Sequence, residues 1–120
     1  MAKRIRDLSG KFADELLPDE RIVEIIGNVN CSPDYDPNLP AYAALTDRRL
    51  LVKTRGLRRK SISVELSQVI KTTVGDGPYF STLTLSTSAG QRLIFTLIAR
   101  DKVPVIEAAI NAARANEPRL

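Results

Sequence analysis

The feature that most constrains this sequence is a succession of short segments, rich in β-branched residues, that clusters of turn residues separate from one another. Residues 60–66 show the pattern most clearly, because apolar and polar side chains alternate there as in a strand with one buried face. Several short strands at this spacing predict an antiparallel sheet. The predicted strands are residues 21–27, 42–45, 50–53, 60–66, 70–74, 80–87 and 92–98.

A proline-rich stretch interrupts this succession after the first predicted strand. Residues 28–40 include Pro33, Pro37 and Pro40 among mostly polar side chains. Proline has no backbone N–H to donate to a helix or to a sheet ladder. We therefore expect residues 28–40 to form a long loop that contains neither strand nor helix.

Helical periodicity occurs at both ends of the chain. Near the N-terminus, four apolar residues fall on one side of a helical wheel, which predicts an amphipathic helix that ends before Pro18. These four are Ile5, Leu8, Phe12 and Leu16. Near the C-terminus, an apolar stripe predicts a helix that closes the sheet, and its members are Val103, Ile106, Ile110 and Ala113. The predicted organisation is an N-terminal amphipathic helix over residues 1–17, one domain over residues 18–115 and a frayed tail over residues 116–120.

The last predicted strand is apolar on both faces. Alternation places Leu93, Phe95 and Leu97 on the first face. Ile94 and Ile98 fall on the second face. A strand that is buried on both sides must be covered twice, by the core of the sheet and by either the N-terminal helix or a second subunit. The candidate interaction surface therefore comprises Ile5, Leu8, Phe12, Ile94 and Ile98.

The composition argues against catalysis. The 120 residues suffice for one domain with one core, and none of them is a histidine. The absence of histidine from the sequence excludes Ser–His and Cys–His pairs and most catalytic zinc sites. Cys31 has no second cysteine with which to form a disulfide, and we interpret it as a bystander in a loop. We expect no enzyme activity, no cofactor, no metal and no small-molecule substrate.

The sequence also bears on location. No apolar run approaches the roughly 20 residues that a transmembrane helix needs. The N-terminus is charged from residue 3 to residue 11, which is unlike a signal peptide. We therefore expect the protein to be cytoplasmic.

Positive charge is concentrated in residues 48–60, where no carboxylate interrupts the cations. Such a cluster can hold phosphate groups or an anionic partner through charge-assisted hydrogen bonds. The alternative is a soluble hairpin tip whose charge prevents edge-to-edge pairing of the sheet. The net charge of +4 is compatible with a peripheral anionic membrane, whereas nucleic acid is unlikely because the basic segment lacks aromatic residues for base stacking. The candidate residues are Arg48, Arg49, Lys53, Arg55, Arg58, Arg59 and Lys60.

Three stretches of the sequence carry a family resemblance. They are residues 16–20 (LLPDE), residues 44–51 (ALTDRRLL) and residues 61–70, a strand with a short turn into the next. They resemble the bacterial pleckstrin-homology family, in its short YokE-like type, and the similarity extends over roughly residues 16–113. The resemblance implies an α+β, mainly β fold, namely a PH-like seven-stranded antiparallel split barrel capped by a C-terminal helix. The N-terminal amphipathic helix is an addition to that fold.

The resemblance also has functional implications. Such bacterial domains look like interaction or assembly scaffolds, some of them oligomeric, without catalytic residues. In lipid-binding relatives, the loop between the first two strands supplies the cations that grip an inositol phosphate, whereas here it carries Asp34 and Asp36 and no Lys or Arg. The resemblance therefore implies a non-catalytic module that binds a protein partner or itself, as a homo-oligomer. The alternative is a module that binds an anionic surface, such as lipid headgroups, through Arg55–Lys60.

Overall fold

Seven antiparallel strands and one C-terminal helix account for most of the residues that the structure describes. The structure is a computed structural model, and it describes residue 12 and residues 15–33, 39–54 and 61–115. The strands are β1 (Ile22–Pro33), β2 (Leu39–Thr46), β3 (Arg49–Thr54), β4 (Ser61–Glu65), β5 (Val69–Asp76), β6 (Phe80–Thr87) and β7 (Arg92–Ala99). The helix is α1 (Val103–Ala115), and single turns of 3-10 helix at Leu66–Gln68 and Arg100–Lys102 precede β5 and α1.

The strands form one sheet in the order β4–β3–β2–β1–β7–β6–β5, and all of the neighbouring pairs are antiparallel. β1 joins the two halves of the sheet, because it pairs with β2 along most of its length and with β7 through residues 30–33. The sheet curls around this strand into a half-barrel that α1 closes. The predicted mainly β, PH-like architecture with a C-terminal helix is therefore confirmed.

The prediction of a loop over residues 28–40 was wrong for residues 28–33 and 39–40, and residues 34–38 lie outside the described part of the chain. β1 continues to Pro33, and β2 begins at Leu39, so that residues 28–31 pair with residues 39–42. Gly27 makes this continuation feasible, because it adopts a positive φ of 97° beside a shift in the β1–β2 register. The prolines at 33 and 40 lie near the ends of their strands, where the lost N–H donor disturbs the ladder least.

The main core fills the concave side of the half-barrel. The predicted helical stripe is confirmed, since Val103, Ile106 and Ile110 of α1 are buried in this core. The inward face predicted for residues 60–66 is also confirmed, with Val64 and Leu66 buried and Ile62 packed against them. Aliphatic side chains make up most of the core, and the largest of them are Leu45, Leu50, Leu66, Leu83, Leu85, Leu93, Ile98 and Ile106.

The faces of β7 differ from those that alternation predicted. Leu93 and Phe95 point into the main core as expected, but Ile98 is also fully buried there and Leu97 is exposed. The cause is a register shift against β6, in which Phe95 pairs with Leu83 and Ile98 pairs with Ser81. β7 thus carries one extra residue between these pairs, and a bulge of this kind reverses the alternation beyond it.

A second, smaller core covers the outer face of β2 and β3. Phe12 is fully buried there against Ala44 and Leu51. Partly buried apolar side chains surround this contact, namely Leu16, Ile22, Ile25 and Tyr42. The double cover that the sequence predicted for β7 is therefore found on the β2–β3 pair, and Phe12 belongs to the interior of its own domain.

Several expectations lie outside the described residues. They are most of the N-terminal helix over residues 1–17, including Ile5 and Leu8, the acidic pair Asp34 and Asp36, and the tail over residues 116–120. Among the helices of the described part, none is long and apolar enough to cross a lipid bilayer.

We expect replacement of Gly27 by Ala to lower the free energy of unfolding by about 1–2 kcal/mol, because a Cβ strains a backbone held at positive φ. No atom lies within 4 Å of the position that the new Cβ would take, so the cost is backbone strain without a steric clash. Urea denaturation followed by circular dichroism measures this loss. Asn28→Ala, at the exposed neighbouring position, is the matched control, and an equal loss in both variants would contradict the role of Gly27.

Candidate functional site

The two sequence stretches at residues 16–20 and 44–51 meet in a buried polar cluster, which we call the Glu20–Arg49 cluster and which comprises Glu20, Thr46 and Arg49. The Glu20 side chain is completely buried. Its carboxylate accepts hydrogen bonds from Thr46 Oγ1 at 2.6 Å and from Arg49 Nε at 2.8 Å, and Arg49 Nη2 forms a second bond. The Leu17 backbone N–H donates to the same carboxylate at 3.0 Å. The buried charge is therefore paired and fully surrounded by donors.

Arg49 connects the cluster to two further segments. Its Nη1 donates to Ser63 Oγ on β4 at 3.1 Å, and its Nη2 donates to the backbone carbonyl oxygen of Glu15 at 2.8 Å. A planar guanidinium can make these bonds at once because its donors form a rigid fork. One side chain thus holds together the segment before β1, the start of β3 and the edge strand β4.

Hydrogen bonds within the turn between β2 and β3 position Thr46 and Arg49 for this cluster. Thr46 Oγ1 accepts the backbone N–H groups of Arg48 at 3.1 Å and Arg49 at 2.8 Å. Asp47 exchanges bonds with Arg21, because its Oδ1 accepts the Arg21 N–H at 3.2 Å and its own N–H donates to the Arg21 carbonyl at 3.0 Å. The turn that carries the family resemblance is therefore attached to the residues that follow Glu20.

Glu20 and Arg49 shift each other's pKa. The hydrogen bond from Arg49 is the main cause that lowers the pKa of Glu20 to about 2 from an ordinary value of 4.5, against the opposing effect of burial. In return, Glu20 raises the pKa of Arg49. Both groups remain charged at any physiological pH. The ion pair therefore stabilises the fold and is unsuited to proton transfer.

The described cationic residues that the sequence predicted as a binding site have different surroundings in the structure. Arg49, a candidate for binding an anionic partner, is instead engaged inside the molecule by Glu20. Lys53 lies 3.8 Å from a carboxylate oxygen of Glu15 in an ion pair. Arg48 is exposed at the turn. The remaining candidates lie outside the described residues, and they are Arg55, Arg58, Arg59 and Lys60.

The predicted interaction surface is dispersed in the structure. Phe12 and Ile98 are buried in two different cores, as described above. Ile94 lies opposite Thr84 and Ser32 in the two ladders that flank β7, and it is half-buried. Among the described members of this set, Ile94 alone retains exposed surface.

A concentration of exposed apolar side chains, which the sequence reasoning missed, lies on the hairpin formed by β5 and β6. We call it the hairpin surface, and it comprises Ile70, Val74, Tyr79 and Phe80. Tyr79 is 81% exposed, Phe80 52% and Ile70 58%. Two adjacent aromatic residues directly after a glycine-rich turn were the available signal, since a chain with 5% aromatic residues has few to leave in solvent.

A groove of about 330 Å³ separates β5 from α1 beside this surface. Residues from β5 form one wall and residues from α1 form the other. The lining residues include Ile70, Lys71 and Thr72 of β5 and Glu107 and Arg114 of α1. Two opposite charges of α1 therefore face the same opening as an apolar side chain of the sheet edge.

Cys31 lies in β1 inside the main core, which corrects its interpretation as a loop residue. Burial raises the pKa of its thiol to about 11. Because the thiolate is the reactive form, the side chain is poorly suited to nucleophilic chemistry at neutral pH. Among the described residues, no three potential metal ligands come together.

Comparisons with known proteins establish the fold. No family model matches the sequence, and no curated protein matches it either. Solved structures do match. They include the exchange factor Vav1, described for its PH and C1 domains (19% identity, TM-score 0.59, 96% of this chain and 33% of that chain), and the DH/PH fragment of p115-RhoGEF (12% identity, TM-score 0.57, 92% and 34%). The C-terminal domain of an unknown protein from Leishmania infantum is similar over both chains (13% identity, TM-score 0.57, 96% and 98%).

These similarities establish the fold alone, because the sequence identity to each of the three structures is low. The chain spans about a third of the Vav1 and p115-RhoGEF chains that it matches. Two of these neighbours, Vav1 and p115-RhoGEF, contain PH domains, in agreement with the PH-like architecture described above.

We expect Glu20→Gln to lower the free energy of unfolding at neutral pH by about 3 kcal/mol, because it leaves the largely buried Arg49 without its counter-charge. Urea denaturation measures this loss. Asp19→Asn removes the adjacent exposed carboxylate and should change stability by no more than about 0.5 kcal/mol. Similar losses in the two variants would contradict a structural role for the buried pair.

Acid should weaken the fold through the same residue. The pKa of Glu20 is lower in the folded chain than in the unfolded chain, so its contribution is complete above about pH 4.5 and is lost as pH falls from about 4.5 to about 2. We expect Glu20→Gln to flatten the dependence of stability on pH over this range, whereas Asp19→Asn retains it. Urea titrations at several acidic pH values test this expectation.

The Cys31 thiol should react slowly in the folded protein. With its pKa at about 11 instead of 9, the thiol has a thiolate fraction at neutral pH that is about a hundredfold smaller. Burial also blocks access of the reagent to the sulfur. We therefore expect reaction with a disulfide reagent to be at least about a hundredfold slower in buffer than in concentrated urea. Comparable rates in both conditions would show that the β1 core opens readily.

Proposed function

We propose that this chain is a non-catalytic, PH-like binding module that contacts other proteins, including its own copies, through the hairpin surface. The observation that carries the proposal is the exposure of Tyr79 and Phe80 on the same hairpin as Ile70 and Val74, with Phe80 and Val74 on opposite faces of it. Large apolar side chains grouped on one element are typical of contact sites between proteins. Tyrosine and phenylalanine are also enriched in the centres of such interfaces.

The position of these residues in the sheet supports the same function. β5 and β4 are the two edge strands of the described sheet. β4 presents Ser61, Ser63 and Glu65 as exposed polar residues, which discourage pairing with another strand. β5 also exposes Lys71, Thr73 and Asp76, but unlike β4 it carries two exposed apolar residues, Ile70 and Val74. A chain that kept this edge exposed without a partner would be prone to aggregation.

The absence of histidine from the sequence and the protonated, buried Cys31 support the non-catalytic part of the proposal. The chain also has its PH-like fold in common with PH-containing fragments of two larger proteins. We further propose that the chain is a cytoplasmic bacterial PH-like protein of the short YokE-like type. That part of the proposal rests on the stretches at residues 16–20 and 44–51, which the Glu20–Arg49 cluster brings together.

An anionic surface is the alternative partner. It depends on the basic segment at residues 48–60, of which Arg49 and Lys53 interact with Glu20 and Glu15. Exposed Arg48 and the cations of Arg55–Lys60 would have to provide the attraction. Binding of this kind is screened by salt and is independent of the hairpin surface.

Removal of the two aromatic rings separates these alternatives. We expect the immobilised chain to retain its own copies or other proteins from a cell lysate, and Tyr79→Ser with Phe80→Ser to abolish this retention. Val23→Ser is the matched control, because Val23 is an exposed apolar residue on β1 whose exposed fraction (61%) lies between those of Phe80 and Tyr79. Exposed substitutions of this kind change stability by only about 0.5 kcal/mol, so that all variants should fold.

Sedimentation with vesicles provides the second arm of the experiment. We expect no more of the protein to pellet with phosphatidylserine-containing vesicles than with pure phosphatidylcholine vesicles at low salt. Salt-sensitive pelleting that persists in the Tyr79→Ser, Phe80→Ser variant, together with protein retention that this variant leaves unchanged, would replace the proposal by the anionic alternative.

A further inference from the structure

β5 has the properties of a strand that pairs with another strand. In the described sheet it hydrogen-bonds to β6 alone, and four of its residues line the groove together with α1. Its burial pattern shows one buried residue, Val69, followed by seven that are partly or fully exposed. An edge strand of this length can accept a further strand through its unpaired backbone groups.

We propose that β5 pairs with β5 of a second copy of this chain, antiparallel and about a two-fold axis, so that two half-barrels share one continuous sheet. The inference rests on the proposed function and names the partner. A two-fold axis requires that the surface be complementary to itself. Three features of β5 and α1 meet that requirement.

The first feature is the order of side chains along β5. Ile70 is the extra residue of a bulge in β5, between the Val69–Thr87 and Lys71–Ser86 pairs with β6. If the axis passes through Thr72, Ile70 lies across from Val74 of the second copy, and Val74 lies across from its Ile70. Apolar pairs then flank the axis on both sides, and such cross-strand pairs stabilise a sheet. The two exposed apolar residues of the edge strand are thereby covered.

The second feature is the placement of Lys71. In the same register, Lys71 lies opposite Thr73 of the second copy and not opposite its own counterpart. Like charges directly across a ladder would destabilise the pairing. The register that matches the apolar residues therefore also avoids this repulsion.

The third feature is the charge of α1. Glu107 and Arg114 both line the groove but are seven residues apart, which is about 10 Å along a helix. A two-fold axis perpendicular to the sheet reverses the helix across the interface. The acidic end of one helix then approaches the basic end of the other, and the contact between Glu107 and Arg114 forms twice in the dimer.

Analytical ultracentrifugation of the full chain over a wide range of micromolar concentrations tests the proposal. We expect a reversible monomer–dimer equilibrium, and we expect Ile70→Lys to raise its dissociation constant at least about tenfold, because two lysines would enter the apolar pairs. Val23→Lys adds the same charge at an equally exposed apolar position and should leave the dissociation constant unchanged. A chain that stays monomeric, or a dimer that both variants weaken equally, would overturn the proposal.

Cysteine cross-linking tests the register. Residues opposite each other in an antiparallel pair have Cα atoms about 4.5–5.5 Å apart, within the range of a disulfide. Thr72→Cys should therefore form a covalent dimer on oxidation. Thr73→Cys should not, because the Cα atoms of the two copies of residue 73 would be about 8 Å apart. Cross-linking at residue 73 and not at residue 72 would overturn the register.

Charge exchange tests the arrangement of the helices. We expect Glu107→Arg and Arg114→Glu each to weaken the dimer about threefold, in keeping with exposed ion pairs. The double variant should restore the original dissociation constant, because the two-fold axis again brings opposite charges together. A double variant that is weaker than either single variant would overturn the antiparallel placement of α1.

The outcomes also distinguish this inference from the proposed function. A strictly monomeric chain that still retains other proteins through Tyr79 and Phe80 would refute pairing of β5 and leave the binding module intact. Loss of both self-association and aromatic-dependent retention would refute both.

Discussion

The ion pair between Glu20 and Arg49 is the interaction on which the rest of this structure depends. Burying a carboxylate is costly unless it is paired and supplied with donors, and here Arg49, Thr46 and the Leu17 N–H together meet that need. The consequence is geometric. The segment before β1 is fastened to the β2–β3 turn, and Phe12 can then lie over the outer face of β2 and β3.

This internal use of Arg49 changes the interpretation of the basic segment. A run of cations in a sequence suggests a binding site, yet two of its described members interact with carboxylates of the same chain. Of the seven large exposed apolar residues in the described part of the chain, four lie on the hairpin of β5 and β6. The charge pattern of the sequence thus pointed to the β2–β4 end of the sheet, whereas most of the large exposed apolar residues of the described part lie at the β5–β6 end.

The errors in the sequence-based predictions have a common physical origin. The loop over residues 28–40 was inferred from its proline content. The faces of β7 were inferred from regular alternation. In each case a bulge altered the register, at Gly27 in β1 and between Phe95 and Ile98 in β7. A bulge depends on how two strands pair across the sheet, and one strand's own residues indicate it only weakly. The buried Cys31 was misplaced for the same reason.

The sequence by itself determined the number of strands, the closing helix with its buried stripe, and the absence of histidine chemistry. These features follow from local alternation, helical periodicity and composition, which neighbouring residues specify. Only the tertiary structure decided that Glu20 pairs with Arg49, that Ile98 is buried and Leu97 exposed, and that β5 is an edge bordered by apolar side chains. Each of these depends on contacts between residues that are far apart in the chain, 29 positions in the case of Glu20 and Arg49.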